Sequence, residues 1–291
     1  MLRERPNVIV VIGKSGQLAQ AIRVNADPQS MVFMGRDDID IVDFDKMSLS
    51  LDTHKITAVI NASAYTAVDN AESDETSAFL LNEKAVKNLA VYCKNKSLRF
   101  IHVSTDYVFG GSKGSPYLPT DDYAPQSIYG ASKMAGEVAV KDILGELGCI
   151  IRTSWVYSEF GNNFVKTMLR LMKEKPQLGV IDDQIGSPTS AIALAQACLT
   201  AVEKNISGVH HFTDAGVASW YDFAVSIQRC ALDNGLLEHP IPIKAIPTSA
   251  YPTPAKRPSY SVLDKHSMID AFGIEPRHWQ AELESVLSKL K

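Results

Sequence analysis

Five aliphatic residues in a row, Val8-Ile9-Val10-Val11-Ile12, run directly into Gly13-x-x-Gly16 and then into a helical pattern from Gln17 to Asn25. A short, continuous, β-branched run is apolar on both sides, as expected of a parallel strand buried on both faces. The same rhythm returns along the first half. Met31–Met34, Ala58–Asn61, Arg99–Val103 and Cys149–Arg152 read as further strands. Between them, Glu75 to Lys94 has helical spacing, with Phe79, Leu80, Ala85, Val86, Leu89 and Ala90 on the apolar side. Tyr129 to Leu147 reads as another helix. Strand and helix in alternation predict an α/β fold: a doubly wound parallel sheet of Rossmann type, covered by helices on both faces.

After Thr153 the texture changes. Turn-rich pieces such as Phe160-Gly161-Asn162-Asn163 separate helices, and prolines crowd the stretch from His239 to Pro258. That stretch is expected to wrap a surface, because proline breaks helices. The reading divides the chain into a dinucleotide-binding domain, 1–153, and a smaller substrate-binding region, 154–291, with 191–213 packing back onto the first domain. His210-His211 lies in a strand pattern, where neighbours face opposite sides, so the pair is not read as a metal site.

Composition narrows the function classes. A net charge of -4 gives no bulk attraction to nucleic acid or to an anionic membrane. No apolar run approaches the roughly 20 residues of a membrane span. Met1–Pro6 has charge but no apolar stretch of signal-peptide length. Cys93, Cys149, Cys198 and Cys230 are scattered in apolar contexts, which suits buried thiols in a reducing cytoplasm. The expected partner is a small molecule.

Two places carry chemistry. Gly13-x-x-Gly16-x-x-Ala19 joins a strand to a helix, where small residues let the backbone approach a pyrophosphate and the helix N-terminus attracts its charge. At the end of the second strand pattern, Arg36 suits a 2′-phosphate, while Asp37 and Asp38 beside it suit ribose hydroxyls. NADPH is therefore expected, with NADH also accepted. Asp43 is a candidate for the adenine amine or a plain turn residue. The second place is Tyr129-Gly130-Ala131-Ser132-Lys133, read with Ser104-Thr105-Asp106. A tyrosine four residues before a lysine shares its helix face. An ammonium beside the phenol favours the phenolate and is expected to lower its pKa toward the working pH. Such a phenol trades a proton with a carbonyl or alcohol oxygen, and the Thr105 hydroxyl is placed to bond the same oxygen.

These segments, with Asn61–Asp69, Ser104–Phe109, Ile151–Tyr157, Asn162-Asn163-Phe164 and Asp182–Thr189, together resemble the dTDP-4-dehydrorhamnose reductases of the extended short-chain dehydrogenase/reductase superfamily. The resemblance implies Tyr129 as proton donor to a C4 keto oxygen, Lys133 as its tuner and ribose contact, and Thr105 as the group polarising the carbonyl. It implies a cofactor lined by Gly13, Gly16, Gln17, Leu18, Arg36, Asp43, Phe44, Ala62, Ala64, Tyr65 and Thr66. It implies sugar-nucleotide contacts from Asp106, Trp155, Asn163 and Arg257. Three departures stand out. The third glycine of the fingerprint is Ala19. Gly110-Gly111 replaces the usual Asp-Gly and is expected to loosen a loop. The first helix lacks the carboxylate through which some members bind magnesium, so no metal is expected, and the state is read as monomer or homodimer.

Two other functions are weighed. Dehydratases of the superfamily place a glutamate where this chain has Tyr107, and epimerases retain their NAD. The regulatory subunit of methionine adenosyltransferase resembles the family without acting as a reductase. The intact Thr105, Tyr129 and Lys133 set favours the reductase.

Overall fold

A computed structural model describes residues 7–290; Met1–Pro6, read above for a signal peptide, lies outside them. The central sheet is built from β1 (Asn7–Ile12), β2 (Met31–Met34), β3 (Lys55–Asn61), β4 (Arg99–Thr105), β5 (Gly148–Thr153) and β6 (Gly208–His211). All pairings are parallel, in the order β2-β1-β3-β4-β5-β6.

Alternate residues of each strand enter different cores, which is why the strands read as continuous apolar runs. Val11, Ile60, Ile101 and Ile151 face one cluster. Val10, Val59, Phe100 and Ile150 face the other. The first face is covered by α1 (Gln17–Asn25) and by a later helix, Ala191–Glu203. The second is covered by α2 (Phe44–Leu51), α3 (Ala85–Asn95) and α4 (Ile128–Leu144). The doubly wound sheet is therefore present. A third core gathers α5 (Phe164–Glu174), the helix Trp220–Asp233 and the helix Trp279–Leu287 around Tyr157 and Phe223. In the proline-rich stretch, Ile243–Ile246 forms a short strand beside Leu178–Ile181. Among the described residues, no helix is long and apolar enough to cross a membrane.

Three details differ from the sequence reading. Glu75–Lys94 is not one α-helix: a π-helical turn, Leu80–Lys84, separates Glu75–Phe79 from α3. Such turns insert one residue and re-aim side chains. Here the turn carries the fully buried Asn82. The helix read as ending at Leu147 stops at Leu144, where Gly145 takes a positive φ of 51°. The Gly110-Gly111 loop is not loose. Gly111 donates to the Tyr117 hydroxyl at 2.9 Å, and its carbonyl accepts from Ser259 Oγ at 2.9 Å and Tyr260 N at 3.2 Å. The segment after Pro258 pins it.

Helix α4 packs closely against the π turn. A Cβ added to Gly136 would lie 2.1 Å from the Asn82 carbonyl oxygen. Alanine is the better helix former by roughly 1 kcal/mol, but overpacking costs about 1–3 kcal/mol, and a backbone oxygen cannot rotate aside. Gly136→Ala should therefore destabilise the fold, read as a lower denaturant midpoint. A midpoint at or above the parent's would mean that α4 has slack against the π turn.

Candidate active site

Strand β1 has β2 on one side and β3 on the other, so the chain changes direction between β1 and β3. Ligands of such sheets bind in the crevice beyond the strand ends at that point. A cleft of about 1000 Å³ lies there, and Gly13, Gly16, Arg36, Tyr65, Tyr129 and Lys133 all line it.

The floor is the β1–α1 turn. Gly13 has φ +110°, and a Cβ on it would lie 3.0 Å from the Ala62 carbonyl and Ser63 N. Glycine is thus required by conformation and by the close approach of the loop after β3. Gly16 begins α1 with no side-chain cap and no acid in the first turn. The free N–H groups and the helix dipole form an anion site that no side chain caps among the described residues. These features fit a dinucleotide pyrophosphate. Gln17, Leu18, Ala62, Ala64 and Thr66 line the same cleft.

At the end of β2, Asp38 accepts from Gly35 N at 2.8 Å and Lys14 Nζ at 3.0 Å. Those bonds hold its carboxyl below the usual range, the Gly35 bond contributing most. Arg36 is exposed at the cleft and has no hydrogen-bond or ion-pair partner among the described residues. Lys14, not singled out from sequence, brings a second cation to this end. Asp43 and Phe44 are elsewhere. Asp43 caps α2 by accepting from Lys46 N at 3.1 Å and pairs with Lys46 Nζ at 3.0 Å. Phe44 packs against the second sheet core. Neither lines the cleft, because the helix start claims both.

The far wall is α4. Ser127 caps it, accepting from Gly130 N at 3.1 Å. Arg152 on β5 and Glu137 on α4 form a buried ion pair at 2.7 Å, 1% and 0% exposed, which fixes the helix to the sheet. Tyr129 sits edge-on to Tyr107 at 5.5 Å. Its phenol is raised above the ordinary value, not lowered as the Tyr-x-x-x-Lys spacing suggested. Burial dominates; a hydrogen bond with Thr105 opposes it, and the Asp106 charge adds to it. Lys133 Nζ points back to the sheet, donating to the Val103 carbonyl at 2.7 Å. Burial pushes Lys133 down to about 8, with Glu137 opposing. The Thr105 hydroxyl donates to Asp106 Oδ1 at 3.0 Å. Burial pushes Asp106 up to about 6, against hydrogen bonds from Ser261 and Thr105.

The residues expected at a sugar nucleotide are already engaged within the protein. Trp155, at φ +49°, stacks on Trp220 at 3.5 Å. Asn163 caps α5 and donates to Gln17 Oε1 at 2.9 Å and the Ser158 carbonyl at 2.8 Å. Gln17 Oε1 also accepts from Ser158 Oγ at 2.8 Å, so the cofactor turn is tied to the start of α5. Arg257 binds Asp69 at 2.7 Å and the Tyr107 hydroxyl at 3.1 Å.

Asn82 is the residue the sequence reading passed over. Its side chain accepts from Tyr65 N at 2.9 Å and donates to Tyr65 O at 3.1 Å and Ser132 Oγ at 3.0 Å. It thereby joins the loop after β3 to α4. The signal was there: an asparagine three residues after Phe79 and four before Val86, on the apolar side.

A family model described as the RmlD substrate binding domain matches residues 7–291. The chain belongs to the RmlD substrate-binding domain family. A dTDP-4-dehydrorhamnose reductase of Aggregatibacter actinomycetemcomitans is 39% identical over 96% of this chain and 97% of the relative. A solved dTDP-4-dehydrorhamnose reductase of Clostridium acetobutylicum superposes with TM-score 0.91 at 35% identity, covering 98% of this chain and 99% of that one. One from Bacillus anthracis, solved in complex with NADP, gives TM-score 0.91 at 30% identity over 98% of this chain and 99% of that one. The family resemblance read from the motifs is thus confirmed along the length of the chain.

Removing one partner of a buried ion pair strands the other charge, at about 3–5 kcal/mol. Glu137→Ala should lower the unfolding free energy by that order in a denaturant titration. A change under about 1 kcal/mol would mean that Arg152 does not depend on Glu137.

Proposed function

We propose that this chain is an NADPH-preferring reductase, also accepting NADH, that converts the C4 keto group of dTDP-4-dehydro-L-rhamnose to the hydroxyl of dTDP-L-rhamnose. One observation carries the reading: the uncapped α1 N-terminus and the Tyr129–Lys133 pair line one cleft. The NADP in the Bacillus anthracis structure supports the cofactor, and the names of the family relatives support the sugar. Four buried, free cysteines suit the cytoplasm.

NADPH, when bound, supplies the hydride. Gly13 and the N–H groups of α1 would hold its pyrophosphate, Arg36 would meet the 2′-phosphate, and Lys133 would hold the nicotinamide ribose. Tyr129 gives its proton to the C4 oxygen as that oxygen gains charge. A phenol whose pKa is raised by burial is kept protonated, which is the form a donor needs in the reducing direction. Thr105 polarises the same oxygen once its hydroxyl turns from Asp106. Charged Lys133 favours the phenolate that remains. Arg257 reaches the diphosphate by exchanging Asp69 for it, since an arginine fork suits phosphate oxygens.

The first test is NADPH oxidation, followed by absorbance, with dTDP-4-dehydro-L-rhamnose made in situ. Consumption abolished in Tyr129→Phe is the expected outcome, with kcat down about 10²–10⁴-fold and cofactor affinity kept. Parent-like turnover by that variant would remove Tyr129 from the chemistry.

Lys133 is charged below its depressed pKa and neutral above it. The Lys133 contribution to kcat should therefore be full below about pH 8 and be lost as pH rises through it. A profile flat to pH 10 would separate turnover from the Lys133 charge. Arg36→Ala should weaken NADPH binding by about 1–3 kcal/mol and NADH binding much less. Equal weakening of both would place the 2′-phosphate elsewhere.

A further inference from the structure

Behind Lys133 a line of polar groups crosses two strands. Asn61 on β3 and His102 on β4 are register partners, 1% and 0% exposed. Asn61 Nδ2 lies 3.2 Å from His102 Nδ1. His102 Nε2 lies 3.4 Å from Lys133 Nζ. Asn61 Oδ1 accepts from Ser63 N at 3.1 Å and Ser63 Oγ at 2.7 Å.

The donors and acceptors along this line have one consistent arrangement. A backbone N–H only donates, so Ser63 holds the carbonyl end of the Asn61 amide. The NH₂ end then faces His102, and it also only donates. His102 Nδ1 is therefore the acceptor, and the neutral ring carries its proton on Nε2. Burial keeps the ring neutral, holding its pKa well below the usual value, and the Lys133 charge acts in the same direction. The Nε2–H points at Lys133. An ammonium has three N–H bonds and no lone pair, so it would oppose that proton with its own. A free amine accepts it. The amine then has one N–H for the Val103 carbonyl at 2.7 Å and one left toward the cleft it lines.

We infer that His102 is a positioning residue for Lys133: locked by Asn61 as an Nε2–H donor, it favours the free amine and sets the pH at which the lysine becomes charged. The inference deepens the reductase reading and rests on it. The other charged or titratable groups around Lys133 leave room for this control. Glu137, one turn along α4, favours the charged lysine but is bound to Arg152 from β5. Tyr129, one turn back, is held neutral by burial. Strand β3 places the neutral Asn61 at this level. His102 cannot relay protons, because the Asn61 N–H covers its second nitrogen.

Long-range proton–nitrogen NMR on ¹⁵N-labelled protein reads the two ring nitrogens of His102, and the Lys133 Cε shift follows its titration. Nδ1 should be bare and Nε2 protonated at neutral pH. Asn61→Asp is isosteric and keeps the acceptor for Ser63. It places a carboxylate at Nδ1, draws the ring proton there and makes Nε2 an acceptor. The Lys133 titration should then rise by about one unit or more, and the alkaline fall of kcat should rise with it. Nδ1 protonated in the parent, or a Lys133 titration unmoved while the ring proton shifts, would overturn the inference. The NMR readouts need no substrate. The predicted NMR pattern in a protein that turns over no sugar would uphold the lock and overturn the reductase reading.

Discussion

The seating of helix α4 against strands β4 and β5 controls the rest of the site. Among the contacts that hold it are the Gly136 approach to the Asn82 carbonyl of the neighbouring π turn and the buried Arg152–Glu137 pair to β5. The first sets depth and the second sets position along the helix axis. Tyr129 and Lys133 lie on that helix, so both inherit its placement. Asn82 extends the control to the loop after β3, which forms the other wall of the cleft. Catalytic geometry needs such support, because small misplacements of a reacting group lose large factors in rate.

Deep seating also decides the electrostatics. Spacing alone suggested that Lys133 would pull the Tyr129 phenol toward its anion. Burial acts on both groups and moves both toward neutrality, the phenol up and the ammonium down. Burial thus keeps the phenol protonated, while Lys133 stays charged up to about pH 8. It also lets neighbours with no charge of their own, such as Thr105 and His102, shift the balance.

The sheet was legible because its signals are local. β1 announces itself as an aliphatic run, and the first βα turn by its glycines. Gly13 and Gly16 were legible for the same reason, directly after a strand end where this fold puts ligands, whereas Ala62 and Tyr65 were named by the family resemblance alone. Side chains with two possible jobs were not legible. Asp43 could serve an adenine or a helix start, and Asn163 a diphosphate or a cap; in each the short-range backbone bond is made. Asn82 and His102 act through partners distant in sequence, and no spacing rule reaches across 17 or 31 residues.

Arg257 illustrates what a pre-formed partner does to affinity. The guanidinium is already bound to Asp69 and Tyr107. An anion that displaces Asp69 exchanges one ion pair for another and does not create one from free ions. Binding free energy then reflects only the difference between the two pairs. The released Asp69 carries a charge that stays close by and repels the incoming anion. Such an exchange trades strength of binding for ease of release, which serves a protein that must let go of a product differing from its substrate by two hydrogens.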